Sequence, residues 1–288
     1  MGNDIFRLNY MNNAPLKVEK NVSILGCGWL GLPLAKFFIN RSYRVKGSVP
    51  ATEKFISLKK EGILPYQIYL NPTINDGFDK DFFNSEILVI NFPPKRRDDI
   101  EEFHPRQFEA LIQEIKSSHI KKVIFISSTS VYANTNGIVD EQNEKIPEKS
   151  SGKALRTVER MLKQELGFTT TIIRFGGLIG YDRKPGRFFA GKKQVKDGEA
   201  PVNLIHQDDC IGIINHVIEN ELWGETYNAC SPEHPKRKEF YEVAAKLGDY
   251  AIPQFSETKN AFKIINSDKL IKTGYEFQFK NPIEALKF

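Results

Sequence analysis

The sequence predicts an α/β fold, doubly wound about a parallel sheet, with a small lobe formed by its C-terminal third. Three observations carry this. Residues 21–35 read as strand, tight glycine turn and helix. Short apolar runs then alternate with amphipathic helical segments as far as Phe175. Beyond Phe175 the rhythm breaks into glycine- and proline-rich loops with fewer regular elements.

The first element is the most specific. Val22, Ile24 and Leu25 lead into Gly26-x-Gly28-x-x-Gly31, and a helical pattern follows with Leu30, Leu34, Phe37 and Phe38. Gly26 permits the turn, Gly28 lets backbone approach a pyrophosphate, and Gly31 lets the helix pack close to the strand. A helix N-terminus offers unpaired N–H groups and the positive end of a dipole to the same anion. The motif therefore predicts a Rossmann-type dinucleotide site.

The later elements follow in order. A second strand is predicted at 43–49, a helix at 53–61 and a short third strand at 67–70. Residues 86–91 (EILVIN) are almost continuously apolar, as in a strand buried on both faces. Phe108, Leu111, Ile112 and Ile115 share one face of a helix at 105–118, and 122–127 (KVIFIS) is another buried strand. A helix at 155–166 and a sixth strand at 170–175 complete the repeated βα pattern, which implies right-handed crossovers. In the last third, a helix is expected at 208–219 with an acidic start, a short strand at 226–229 and a helix at 238–247. Ser267 is expected to cap a short helix that runs to Lys272 and stops at Gly274. The predicted organisation is a loose tail at 1–20, a dinucleotide-binding domain at 21–175, and a small substrate lobe at 176–288 with elements returning to the core.

Composition narrows the function. The net charge of +5 is mild, and the basic clusters at 95–97, 121–122, 192–193 and 236–238 lack interleaved aromatics. They read as solvated surface, so no nucleic-acid partner is expected. No apolar run is long enough for a bilayer and no leader pattern is visible, so no membrane partner and a cytoplasmic location are expected. Cys27, Cys210 and Cys230 are widely spaced without a CxxC pair and read as free thiols, Cys27 as a small turn residue.

A second cluster of chemistry lies at 125–133 (FISSTSVYA), where hydroxyls gather at the carboxyl end of a buried strand. Such hydroxyls either face a ligand cleft or serve turns and caps. With the glycine turn, this segment, IRFGGLIG at 173–180 and VNLIHQDD at 202–209, the chain resembles extended short-chain dehydrogenase/reductases. It is most similar to their atypical, epimerase/dehydratase-like branch, over residues 21–288. A 6-phosphogluconate-type dehydrogenase shares the GCGWLG-like turn but has a long helical second half that is missing here.

The resemblance implies roles position by position. Gly26, Gly28 and Gly31 would hold the cofactor's pyrophosphate, with Trp29 and Leu30 in the same turn also cofactor-binding. Phe92 and Pro93 would border the adenosine-ribose side, and Phe175 and Gly176 would sit near the nicotinamide. Ser128 matches the catalytic Ser/Thr that hydrogen-bonds a substrate oxygen. His206 and Asp209 would shape the joint between the lobes, with His206 as a base the sharper alternative.

Two departures set the functional expectation. The family's Tyr-x-x-x-Lys pair, in which the lysine lowers the tyrosine's pKa for proton exchange, aligns with Ser151 and Leu155 when Glu159 is matched to a family glutamate. Lys153 points about 200 degrees away along the helix, and Tyr132 is a phenol in a position that is usually structural. Secondly, the second strand ends Lys46-Gly47-Ser48-Val49-Pro50 without the acid that binds a ribose 2′-OH. Ser48, Thr52 and Lys54 can instead meet a 2′-phosphate, so NADP is expected, with NAD as the alternative. The expected function is an NAD(P)-binding oxidoreductase or epimerase-like enzyme with an altered proton donor and a small polar or sugar-like substrate. The alternative is a catalytically weak NAD(P)-binding sensor or scaffold.

Overall fold

A computed structural model describes residues 20–258 and 260–288. The predicted tail at 1–20 lies outside the described residues except for Lys20.

Seven parallel strands form the central sheet: β1 (Asn21–Leu25), β2 (Arg44–Val49), β3 (Leu64–Gln67), β4 (Ile87–Ile90), β5 (Lys122–Ser128), β7 (Thr169–Phe175) and β10 (Thr226–Ala229). Their order is β10-β7-β5-β4-β1-β2-β3. The strand order reverses between β1 and β4, and ligands bind at the carboxyl ends of strands beside such a switch point. Val22, Ile24, Leu88, Val89, Ile90, Val123, Ile124 and Phe125 are buried, which is why these strands read as unbroken apolar runs.

Helices cover both faces. α1 (Gly31–Ile39), α2 (Phe55–Lys60) and α5 (Gln207–Glu219) pack on one side through Leu34, Phe38, Leu58, Ile214 and Val217. α3 (Ile100–Lys116) and α4 (Ser150–Gln164) cover the other through Phe108, Leu111, Leu155, Val158 and Leu162. A small lobe has its own core of Ile179, Val202, Phe240, Phe279 and Ala285, with α6 (Arg237–Leu247) against it. Two short parallel ribbons complete the lobe and its junction: β6 (Gly137–Val139) with β11 (Lys263–Ile265), and β8 (Gly177–Ile179) with β9 (Leu204–His206). α7 (Asp268–Ile271) is a single turn. Among the described residues, no helix is long and apolar enough to cross a membrane.

The differences from expectation have local causes. The third strand lies three residues earlier than predicted. β2 pairs Lys46 with Leu64 and Val49 with Gln67, while Leu70 makes an isolated bridge to Ile74. β3 is an edge strand, where Pro65 is tolerated because its missing N–H faces away from the ladder. α3 begins at Ile100, not 105, with Pro105 buried inside it. Proline removes the bond that the Glu101 carbonyl would accept, and burial of Ile100, Phe103 and His104 outweighs that loss. Residues 53–54 belong to a 3-10 turn before α2. α4 starts five residues before the predicted 155. Ser267 occupies the cap position of α7 without capping it: its hydroxyl donates to the Cys230 carbonyl at 2.9 Å and accepts from the Cys230 N–H at 3.0 Å. β10 joins the main sheet beside β7, and α5 packs against α1, so both belong to the large core although they follow Phe175.

Candidate functional site

The glycine turn is built as its spacing requires. Gly26 has φ +106, and a Cβ there would meet the Asn91 carbonyl oxygen at 2.4 Å. A Cβ on Gly31 would meet the Gly26 carbonyl at 2.1 Å. At Gly28 a Cβ would meet nothing within 4 Å, so the backbone is open on that side. Two side chains brace the turn from outside the motif. The Ser48 hydroxyl accepts from the Gly26 N–H at 2.9 Å, and Asn91 Nδ2 donates to the Gly26 carbonyl at 3.1 Å.

The open side of the turn faces a cleft of about 1120 Å³. Gly28, Trp29 and Leu30 form one wall, Phe92 and Pro93 follow β4, and Phe175 lies at the end of β7. Six of the ten residues expected from sequence therefore line one cleft, and Ser128 is a seventh. Gly26 and Gly31 shape the turn from behind. Ser48 is the exception: it is buried, and its hydroxyl faces the glycine turn.

Trp29 closes the turn toward the small lobe. Its indole Nε1–H donates to Asp182 Oδ1 at 2.6 Å, and the Arg183 guanidinium lies 4.4 Å from the ring centroid. Gln207, at the start of α5, donates from Nε2 to the Trp29 carbonyl at 2.7 Å. Cys27 inside the turn is buried, and burial pushes its thiol up to about 12. A thiol held protonated is a poor nucleophile.

Ser128 ends β5 and lines a second cleft of about 1190 Å³ as well. Its Oγ accepts from the Ser130 N–H at 3.1 Å, which leaves its own hydrogen to donate. The second cleft runs under the small lobe past Lys149, Arg237, Tyr241 and Lys263. Ser128 is thus the hinge between a cleft beside the glycine turn and one beside the lobe.

α4 brings Leu155 to the wall of the first cleft. Lys153 points elsewhere and pairs with Glu101 of α3 at 3.5 Å. Glu159 is buried, accepts from the Ser127 hydroxyl at 2.6 Å and pairs with Arg174 of β7. Tyr132 accepts from Arg174 Nη1 at 2.5 Å and donates to Asn228 Oδ1 at 2.7 Å. Burial pushes its phenol up to about 12, Arg174 opposing. Its hydroxyl serves the core.

His206 is fully buried at the cap of α5. Its Nδ1 accepts from the Asp208 N–H at 3.2 Å, and its ring packs edge-on against Phe279 at 4.5 Å. Burial lowers its pKa, with Asp208 and Asp209 opposing. It lines neither cleft. Asp209 accepts from the Tyr275 hydroxyl and from the N–H groups of Gln278 and Phe279 at 2.8–3.1 Å, fastening the C-terminal segment to α5. Burial raises its pKa.

Sequence reasoning missed Asn91, Arg183, Lys149, Arg237 and Lys263. Asn91 carries a signal, a polar residue closing the apolar run 86–91. The other four come from loops or from elements of the lobe that have no recognisable motif.

No family model matches the chain. Among solved structures, UDP-glucose 4-epimerase of Thermotoga maritima, determined with UDP-glucose, superposes with a TM-score of 0.75 at 16% identity. That match covers 93% of this chain and 96% of the epimerase. The dTDP-glucose 4,6-dehydratase of Bacillus anthracis, determined with NAD, gives 0.75 at 14% identity, over 93% and 96% of the two chains. These likenesses show an epimerase/dehydratase-type fold. Protein YeeZ of Escherichia coli strain K12 is 36% identical over 269 residues, 92% of this chain and 98% of YeeZ. The chain belongs to the family of protein YeeZ.

Proposed function

We propose that this protein is an NAD(P)-dependent oxidoreductase or epimerase-like enzyme that acts on a small polar or sugar-like substrate without the usual Tyr-x-x-x-Lys pair. One observation carries the reading. A glycine turn open only at Gly28 and a second cleft under the lobe meet at one hydroxyl, Ser128. The solved epimerase and dehydratase that share the fold bind UDP-glucose and NAD respectively, which fits a dinucleotide cleft joined to a sugar cleft.

The residues present fit a dinucleotide. Gly28, Trp29 and Leu30 offer backbone at the start of α1, where N–H groups and the helix dipole favour a pyrophosphate. Phe92 and Pro93 would flank the adenosine side and Phe175 the nicotinamide side. A bound nicotinamide supplies a hydride acceptor or donor. In this chain's own chemistry, Ser128 Oγ–H donates to a substrate oxygen, while Leu155 and Phe175 keep water from the first cleft. Thr52 and Lys54, in the exposed turn after β2, are the groups for a 2′-phosphate, and Ser48 supports them by fixing the glycine turn. NADP is the preferred form on this reading.

Leu155 supports a second reading, a catalytically weak NAD(P)-binding sensor or scaffold, because it puts an alkyl group where the family's lysine ammonium would stand. Titration with NADH and NADPH tests dinucleotide binding for both readings. A substrate-dependent change in nicotinamide absorbance separates them: its presence supports the enzyme, and its absence across a broad metabolite panel supports the sensor.

A further inference from the structure

Lys263 stands in β11, far along the chain from α4 (Ser150–Gln164), the helix in which the resemblance looks for an acid/base group. Its backbone is pinned on both sides. Lys263 is in register with Gly137 of β6, and Asn203 Nδ2 donates to its carbonyl at 2.9 Å. Asn203 Oδ1 accepts from the Ile265 N–H at 2.8 Å. The side chain is half-buried, and Nζ donates to the Tyr132 carbonyl at 2.5 Å. That carbonyl belongs to the short turn that starts at Ser128. Lys263 and Ser128 line the same cleft.

No carboxylate of the described residues forms an ion pair with Lys263. Lys46, which is buried more deeply than Lys263, shows the usual structural solution: its Nζ meets Asp81 Oδ2 at 2.9 Å. An ammonium removed from water without a counter-ion is destabilising. An alkyl side chain would fill the same space without a charge, losing only the bond to the Tyr132 carbonyl, so packing alone gives no reason for a lysine here.

We propose that Lys263 is the acid/base group of this site, exchanging a proton with the ligand oxygen that Ser128 holds. The proposal rests on reading the joined clefts as a dinucleotide-dependent active site. In the forward step the ligand O–H bond breaks, its proton moves to the Nζ lone pair, and the electron pair stays on the oxygen. The reverse step returns the proton.

The surroundings support such exchange. Burial lowers the proton affinity of Nζ, the Lys149 ammonium lowers it further, and Glu148 opposes. Arg237 and Tyr241 of α6 also face the cleft, Arg237 paired loosely with Asp197 at 3.5 Å. The Tyr132 phenol is engaged in the core by Arg174 and Asn228. Burial, with the Lys149 charge beside it, favours the neutral amine needed to accept a proton.

Competitive acetylation of the whole protein with limiting acetic anhydride, from about pH 6 to 10, reads this amine directly. Peptide mass spectrometry should show a reactivity midpoint for Lys263 below that of exposed Lys60 in the same digest. Lys149→Met should move the Lys263 midpoint upward. With any substrate found to turn over, Lys263→Met and Lys263→Arg should each lose at least about 100-fold in rate, because arginine keeps the charge without releasing a proton. A Lys263 midpoint equal to that of Lys60, or full turnover in Lys263→Arg, overturns the proposal. Parallel titration with NADPH keeps the two claims apart. Failure to bind with a lowered midpoint rejects the reading of the first cleft, whereas binding with an ordinary midpoint rejects Lys263 alone.

Discussion

The Arg174 guanidinium grips the Glu159 carboxylate with both Nε and Nη2, at 2.5–3.2 Å, deep between β7 and α4. The Ser127 hydroxyl shares the carboxylate and the Tyr132 phenol shares the guanidinium. This network fixes the rotation of α4, and with it which side chains reach the clefts. Glu159→Gln leaves the guanidinium buried without its counter-charge. A loss of about 3–5 kcal/mol is expected, read as a lower urea midpoint. An unchanged midpoint would show that the pair is dispensable.

Gly28, which is open, and Gly31, which is closely packed, should separate binding from folding. Gly28→Val places its side chain where no protein atom lies within 4 Å, so the fold should survive. NADPH affinity should fall at least tenfold, about 1.4 kcal/mol. Gly31→Val drives a Cβ into the Gly26 carbonyl and should compromise the fold itself. Circular dichroism together with a dinucleotide titration distinguishes the two. A folded Gly28→Val protein with unchanged affinity would place the cofactor elsewhere.

Cofactor preference should favour NADPH over NADH by a modest margin. β2 ends without a carboxylate for a ribose 2′-OH, and Thr52 and Lys54 follow in an exposed turn. Fluorescence titration of both reduced dinucleotides gives the order directly, and tighter NADH binding would reject the assignment.

Turnover of standard nucleotide-sugar and alcohol substrates should be weak. A positioned acid/base is worth about 10²–10⁴ in rate, and the residue that α4 presents to the first cleft is Leu155, an alkyl group that cannot exchange a proton. Ser128→Ala should reduce any residual rate without weakening cofactor binding. Brisk turnover that is indifferent to Ser128 would move the reacting centre away from β5.

Stability should fall as the pH drops below about 6.5, the ordinary imidazole value. His104 and His234 each donate from Nδ1, to Gln107 and to the Val202 carbonyl, and burial lowers the pKa of both. With the folded pKa below the unfolded one, each contribution is complete above the unfolded value and is lost as the pH falls toward the folded value. Urea midpoints measured from pH 8 to 5 should decline at the acid end. A flat profile there would mean that one or both imidazoles charge freely in the folded protein.

Much of this was readable in the sequence, and the unread parts share a cause. Buried parallel strands such as β4 and β5 announce themselves because both faces must be apolar, and Gly26 and Gly31 because each answers a separate steric demand. The ribbons of the lobe gave no signal. β6, β8, β9 and β11 have three residues each, too few for a period, and owe their form to neighbours distant in the chain. Lys263 was invisible for that reason: the pairing of β11 with β6 brings it to the cleft that Ser128 lines. The third strand was misplaced because β2, not local propensity, sets its register.

The fastening of Gln278 and Phe279 to Asp209 reaches further than the lobe. Asp209 lies in the first turn of α5, the helix whose first residue, Gln207, holds the carbonyl of Trp29. The final stretch of the chain is thereby mechanically in series with its first loop. Such an arrangement discourages partial melting, since fraying at the C-terminus loosens the very helix that steadies the N-terminal turn. The amides of Gln278 and Phe279, though within eleven residues of the chain end, should exchange with deuterium as slowly as amides of the central sheet, opening only when the whole molecule opens.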